Sequence, residues 1–364
     1  MTHAIDKDRR MDSHKMIWHM PRVIDYFDNK KRVPPIYIDM GATKRCNANC
    51  VYCYRKFQGQ TNDIIEAGAL VRLFAEAKAA GILGIGLVGD GEPTMNPAIY
   101  DAMRAGHETG LEVNISTNGI KLDTDERLKT VLECCTWMRF NLSAGTREGY
   151  KTIHGVDKWE TVSRNIRRIV ELRNSLGIDC DIGLQVVFVP TIMCQELLEE
   201  CKFAIDAGVD YVVVKQCSLP DEGQSGMVQF DMDDYDHPIV QDTLEQAEDM
   251  STDKTKIIVK WNIIEQKGKR SYDRCLGIPF LCQISGNGEV YPCGHLFRNS
   301  KFLMGNIHDT PISEIVTSGK YWGVIRYMER SFNPHTDCKG MCRQEKVNAF
   351  LDEYVHPPRA INSI

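Results

Sequence analysis

The sequence predicts an α/β fold: an open or partial (β/α)6 parallel barrel followed by a small C-terminal unit of β-hairpin and helix. Three observations carry that expectation. Short runs rich in β-branched residues recur six times between residues 36 and 214, and amphipathic stretches separate them. Strands alternating with helical patterns of this length argue for βαβ units and a parallel sheet. All but the fifth run also lead into a polar loop, and in parallel barrels such loops gather at the C-terminal ends of the strands, where chemistry is done.

In order, the runs are 36–40, 84–88, 111–116, 137–142, 182–189 and 211–214, with helical stretches at 66–80, 123–134, 159–177 and 195–207. Six units are too few to close an eight-stranded barrel. From residue 220 the pattern breaks into a polar stretch where Asp231, Asp233, Asp234 and Asp236 crowd together, read as a solvated loop rather than a cation site. The segment 256–262 alternates like one more strand. The expected divisions are an N-terminal extension at 1–33, the barrel at 34–219, a connecting segment at 220–270, a cysteine-rich unit at 271–350 and a tail at 351–364.

Composition narrows the function classes. Of 364 residues, 43% are hydrophobic and 26% charged, ordinary for a globular chain. A formal net charge of −6 gives no general attraction to phosphate backbones, so nucleic acid is not an expected partner. No apolar run approaches the roughly 18 residues that span a bilayer, and residues 1–33 lack the apolar stretch of a signal peptide. Fourteen cysteines without such a signal fit a reducing compartment better than a disulfide framework. The expectation is a cytoplasmic protein with a small-molecule substrate and neither a nucleic-acid nor a membrane partner.

Cys46, Cys50 and Cys53, spaced C-x3-C-x2-C, put three thiolates on the loop after the first strand and supply no fourth. Iron–sulfur clusters normally take four, so one iron is left open. A structural zinc site needs four closed ligands, and nothing nearby completes one. With the aromatic Tyr52 just before the last cysteine, this loop resembles that of the radical SAM superfamily. The resemblance implies a [4Fe–4S] cluster whose open iron is chelated by the amino and carboxylate groups of S-adenosylmethionine. It implies one-electron cleavage of that sulfonium, hydrogen abstraction by a 5′-deoxyadenosyl radical, and an external electron donor such as flavodoxin or ferredoxin.

Gly89, Asp90, Gly91, Glu92 and Pro93 follow the second run. Glycines there permit close backbone approach to a ligand, and a carboxylate beside them can hold a cationic amine. One βα unit beyond the cysteine loop, this segment resembles the family motif for the methionyl amino group, with Asp90 where the family usually carries glycine. The resemblance also directs Ser143 and Asn141 to the ribose, with Ala144 where many relatives carry an acid. Thr117, Asn118 and Gly119 resemble a segment near cofactor and substrate, a turn capped by Asn118 being the competing reading. Gln185 either faces the adenine or is a satisfied core amide.

A second cysteine set comprises Cys275, Cys282, Cys293, Cys338 and Cys342. Asn287-Gly288 is a hairpin signal, which puts Cys293 just past a hairpin. The arrangement resembles the SPASM domains appended to radical SAM enzymes and, having only five cysteines, their shorter twitch form. That resemblance implies one auxiliary [4Fe–4S] cluster on Cys275, Cys293, Cys338 and Cys342, with Cys282 as an alternative to Cys275. A four-thiolate zinc knuckle is the competing reading.

Cys134, Cys135, Cys180, Cys194 and Cys201 read as small buried hydrophobes. Cys217, just past the sixth run, is either an inert rim thiol or a hydrogen-atom donor to a substrate radical, as in radical epimerases. His154 is an acid–base group or a surface histidine, and His295 orients a cluster or merely occupies the hairpin. The expected function is radical SAM oxidation or epimerisation of a small polar substrate of carbohydrate or aminocyclitol type. Residues 1–33 are too few for a leader-binding domain, which sets a peptide- or protein-modifying enzyme, such as a peptide maturase or sulfatase maturase, second. A non-catalytic metal-binding or iron–sulfur carrier protein is the third reading, and it has no use for the Gly89–Pro93 loop.

Overall fold

The computed structural model describes residues 15–218, 228–338 and 342–362. The start of the expected connecting segment and the three residues between Cys338 and Cys342 therefore lie outside the described residues. Seven strands run parallel, each beside its predecessor: β1 (Tyr37–Met40), β2 (Gly84–Leu87), β3 (Glu112–Thr117), β4 (Cys135–Asn141), β5 (Asp181–Phe188), β6 (Tyr211–Gln216) and β7 (Lys256–Val259). Helices connect them, as expected; that between β5 and β6 spans Pro190–Ala207 and opens five residues before the amphipathic stretch read from the sequence. Proline fits this first helical position because its missing N–H would have no helical partner there.

The sheet does not stop at six units. Beyond β7 it gains β8 (Leu281–Ile284), parallel to β1 on the opposite edge, then β9 (Glu289–Tyr291) and β10 (Gly305–Asn306), both antiparallel. The expected hairpin is thus present, with Gly288 in its turn at φ +83°. It is not a separate appendage. An exposed β1 edge would leave a row of unpaired N–H and C=O groups, and β8 covers it, Gly41 N donating to Ile284 O at 2.9 Å.

Alternation along the strands sorts the side chains. Ile38, Ile85, Ile115, Met138, Ile182 and Val212 are fully buried beneath the surrounding helices. The intervening positions face the lumen and include Asp39, Asn114, Arg139, Gln185 and Lys215. Side chains usually fill a parallel barrel as a packed apolar core. Here the lumen is polar and holds a cavity of about 810 Å³.

The N-terminal ends of the strands are closed by a second apolar cluster. Val23 from the helix Met20–Phe27 meets Leu276, Phe280 and Leu351, the last from the helix Glu345–Val355. Of the segment expected as an extension, the described residues 15–33 therefore pack into the barrel's floor. The dense carboxylates near 231 form a capped 3₁₀ turn, Met232–Asp236, with Asp233 and Asp236 paired to Lys267. No helix among the described residues is long and apolar enough to cross a membrane.

Asp90 joins the two halves of the chain. Its Oδ2 accepts from Ser285 Oγ at 2.7 Å, its Oδ1 accepts from Gly286 N at 2.8 Å, and Lys44 Nζ lies 3.7 Å away. All this is buried, so removing the carboxylate strands a lysine and a backbone N–H. Breaking a buried pair by deleting one partner costs about 3–5 kcal/mol. Asp90→Ala should therefore lower the thermal midpoint by several degrees in circular dichroism; an unchanged midpoint would remove this tie from the account.

Candidate functional site

Cys46, Cys50 and Cys53 all line the upper part of the cavity, together with Glu92, Thr117 and Asn118. Burial pushes the Cys46 thiol up to about 11, the Glu92 carboxylate adding to the shift, and raises Cys50 further. Thiols so placed ionise readily only against a cation, which suits a metal cluster.

The fourth position needs a test, because one candidate ligand stands close. His154 Nδ1 is 3.2 Å from Cys50 Sγ. Its other nitrogen, Nε2, accepts from the backbone N–H of Ser143 at 3.1 Å. A backbone N–H can only donate, and burial holds the ring's pKa near 3, so the imidazole is neutral with its proton on Nδ1. His154 therefore donates to the Cys50 sulfur and cannot ligate from that nitrogen. This buried donor was read from the sequence as an acid–base group or a surface histidine. Its role was invisible because it depends on the helix Arg147–His154 packing under the cysteine loop.

Glu92 gathers the neighbouring loops. Its Oε1 accepts from Thr94 N (3.1 Å), Thr94 Oγ1 (2.6 Å) and Thr117 Oγ1 (2.6 Å), and its Oε2 accepts from Asn118 N at 2.7 Å. Burial raises its pKa while these four donors oppose the rise. Oε1 carries three of these donors and Oε2 only one, so Oε2 is the oxygen with room for a further donor such as an ammonium. Asn118 continues the chain of contacts, Nδ2 donating to Asn47 Oδ1 at 2.7 Å in the cysteine loop. Thr117 and Asn118 thus stand at the site, as partners of Glu92.

The glycines act differently from the expectation. A Cβ on Gly91 would fall 2.0 Å from Thr43 O, and one on Gly89 would fall 2.1 Å from Gly41 N. Close approach is required here by the adjoining backbone after β1. Asp90, too, is turned toward the β8–β9 hairpin and fully engaged there.

Tyr52, Asn141 and Gln185 form one wall. Asn141 Nδ2 donates to Tyr52 Oη (3.3 Å), Gln185 Nε2 donates to Asn141 Oδ1 (3.3 Å), and Tyr52 Oη lies 2.9 Å from Ser143 Oγ. All but Ser143 line the cavity. Ser143 is fully buried, its Oγ accepting from Val187 N at 3.0 Å, and it stands behind Tyr52 rather than lining the cavity. Cys217 is likewise withdrawn. Its N–H donates to Tyr235 Oη at 2.9 Å, its sulfur is fully buried, and it does not line the cavity.

In the C-terminal part, Cys275, Cys293, Cys338 and Cys342 stand close enough for each to act electrostatically on others of the set. Arg270 Nη2 donates to Cys338 Sγ at 3.3 Å. Cys282 does not join them: on β8 opposite Ile38, it is fully buried in the main core. The hairpin reading of His295 gives way to a link between the two cysteine sets, since its Nδ1 hydrogen-bonds Tyr54 Oη beside Cys53. Gln58 Nε2 donates to Gly294 O at 3.2 Å alongside. Among the described residues, no three His, Cys, Asp or Glu side chains are gathered tightly enough to hold a single metal ion.

Residues 40–184 match the model of the Radical SAM superfamily, and residues 275–343 match SPASM, an iron–sulfur cluster-binding domain. The chain carries a radical SAM domain followed by a SPASM domain. The chain is 25% identical to a Pyrococcus furiosus tungsten-containing aldehyde ferredoxin oxidoreductase cofactor-modifying protein, over 83% of this chain and 86% of that one. It is 24% identical to an AdoMet-dependent heme synthase of Methanosarcina barkeri, over 86% and 90% of the two chains. Streptococcus suis SuiB bound to the precursor peptide SuiA superposes with a TM-score of 0.62 at 17% identity, over 87% of this chain and 71% of that one, a likeness of fold. The radical SAM domain implies a [4Fe–4S] cluster and S-adenosylmethionine, and the SPASM domain implies auxiliary iron–sulfur clustering.

If Cys282 is only a core residue, Cys282→Ala should leave the iron content of anaerobically reconstituted protein unchanged. Alanine at Cys275, Cys293, Cys338 or Cys342 should each remove about four iron atoms per chain, measured by plasma mass spectrometry. Equal losses at Cys282 would contradict the grouping.

Proposed function

We propose that this chain reductively cleaves S-adenosylmethionine at Cys46, Cys50 and Cys53 and uses the resulting radical on a substrate held in the barrel lumen. The observation that carries the reading is the three-thiol loop whose one nearby histidine is committed as a donor to Cys50. When bound there, the cofactor supplies, on gaining one electron, methionine and a 5′-deoxyadenosyl radical that takes a hydrogen atom from substrate to become 5′-deoxyadenosine. The chain's own share is placement. Glu92 Oε2 has room for the methionyl ammonium, and Tyr52, Asn141 and Gln185 present a polar wall to the nucleoside. The closed floor and buried loops exclude water from the radical's path.

For the substrate, a peptide or protein segment is the better-supported class, since SuiB binds a precursor peptide and shares this fold. The carbohydrate or aminocyclitol expectation accordingly takes second place. Cys217, withdrawn from the cavity, lends nothing to an epimerisation that would need a thiol donor. The Tyr54–His295 and Gln58–Gly294 contacts between the two cysteine regions favour a net oxidation, with the auxiliary cluster on Cys275, Cys293, Cys338 and Cys342 exchanging the electron. A flavodoxin or ferredoxin would deliver the initial reducing equivalent.

Anaerobic incubation of reconstituted protein with S-adenosylmethionine and dithionite should release methionine and 5′-deoxyadenosine, read by liquid chromatography. Cys46→Ala, Cys50→Ala and Cys53→Ala should each stop it. Cleavage persisting in any of the three would defeat the proposal.

A further inference from the structure

We propose that the barrel lumen holds an oxyanion of the substrate, a carboxylate or a phosphate, between Arg139, Lys215 and Arg343. The inference deepens the proposed function and rests on its placement of substrate in this cavity. The three cations come from separate parts of the chain. Arg139 lies on β4 in register with Ser116 and Gly183, Lys215 lies on β6 opposite Val187, and Arg343 follows Cys342. All three line the cavity that also carries Cys46, Cys50 and Cys53.

Their charges are incompletely matched. Arg343 pairs with Asp39, whose side chain is only 4% exposed and also accepts from Gln283 Nε2 at 3.2 Å. Arg139 stacks over the Trp137 ring, its Cζ 4.8 Å from the centroid, and its buried Nε has no hydrogen-bond partner. Among the described residues Lys215 has neither a hydrogen bond nor an ion pair. One buried carboxylate, Asp39, thus stands among three basic side chains, of which Arg343 is partly open to solvent. Burial, then Arg139 and Arg343, pushes Lys215 down to about 7, the direction that an added anion would oppose. Parallel strands are ordinarily uniform apolar runs. Charges at inward positions of two neighbouring-but-one strands, aimed into a cavity, are costly for stability alone.

An oxyanion seated there relieves the repulsion and satisfies Arg139 Nε, and guanidinium groups match carboxylate and phosphate geometry through paired donors. Asp39 then holds Arg343 in place from below. The arrangement gives the SPASM segment a part in substrate selection, because Arg343 reaches the lumen from the residue adjoining Cys342.

The test uses reconstituted holoprotein saturated with S-adenosylmethionine, titrated calorimetrically with inorganic phosphate and, separately, with succinate. At least one probe should bind, and which one distinguishes a phosphate-bearing from a carboxylate-bearing substrate. Arg139→Gln and Lys215→Met should each weaken that binding by about tenfold, the loss of one charge-assisted contact, while Arg139→Lys restores part of it. The exposed substitution Lys129→Gln serves as control. Binding of neither probe, equal binding in the variants, or competition between the probe and S-adenosylmethionine would each overturn the proposal. Competition would mean that the cations serve the cofactor's own carboxylate. Cleavage of S-adenosylmethionine is measured on the same wild-type preparation: its absence beside intact anion binding would sink the proposed function and leave the anion site standing.

Discussion

The converging strand-end loops have no regular structure of their own, and a single buried carboxylate holds several of them in register. Glu92 draws Thr94 from its own turn and Thr117 and Asn118 from the end of β3, while its backbone N–H donates to Arg45 O in the cysteine loop at 2.8 Å. Four donors onto one carboxylate make each position depend on the others, so the network behaves as a unit rather than as separate bonds. The cysteine loop inherits its shape from this knot and from His154, which supports Cys50 from the opposite side. An active-site loop held this way can leave one iron without a protein ligand and still be rigid.

A second consequence concerns the lumen. A barrel that spends its interior on Asp39, Arg139, Gln185 and Lys215 forgoes the apolar packing that usually fills such a fold. Stability must come instead from the outer layer, where the opposite strand faces are fully buried, and from the apolar floor around Val23, Phe280 and Leu351. The C-terminal unit contributes too, since β8 completes the β1 edge and Asp90 locks onto Ser285 and Gly286. Barrel and SPASM region are therefore mechanically continuous, and the Tyr54–His295 contact extends that continuity to the two cysteine sets.

What was legible in the sequence is what local spacing dictates. The C-x3-C-x2-C loop, the glycine-rich turn before Glu92, the hairpin at Asn287-Gly288 and six of the strands were all readable because each depends on a short stretch of chain. Cys275, Cys293, Cys338 and Cys342 were read as one set with Cys282 as an alternative, and Cys282 stands on β8 within the main core. What was not legible depends on long-range register. Asp90 sits in a cofactor motif yet turns to a hairpin some two hundred residues away. Ser143 Oγ accepts from Val187 N and Cys217 N donates to Tyr235 Oη, so both stay out of the cavity, which for Cys217 fits the inert of its two readings. Arg139 and Lys215 carried a signal that was available, a charge inside a parallel-strand pattern, and their meeting with Arg343 required the fold.

The central claim is that S-adenosylmethionine, and no protein side chain, occupies the last corner of a cluster held by Cys46, Cys50 and Cys53. Electron–nuclear double resonance on the reduced, reconstituted protein with cofactor labelled with ¹⁵N at the methionyl nitrogen tests it most directly. The account expects a resolved ¹⁵N coupling that disappears when the labelled cofactor is replaced by unlabelled. A cluster signal with no ¹⁵N coupling, together with a ¹⁴N coupling abolished by His154→Gln, would show that the protein fills its own vacancy and would contradict the account.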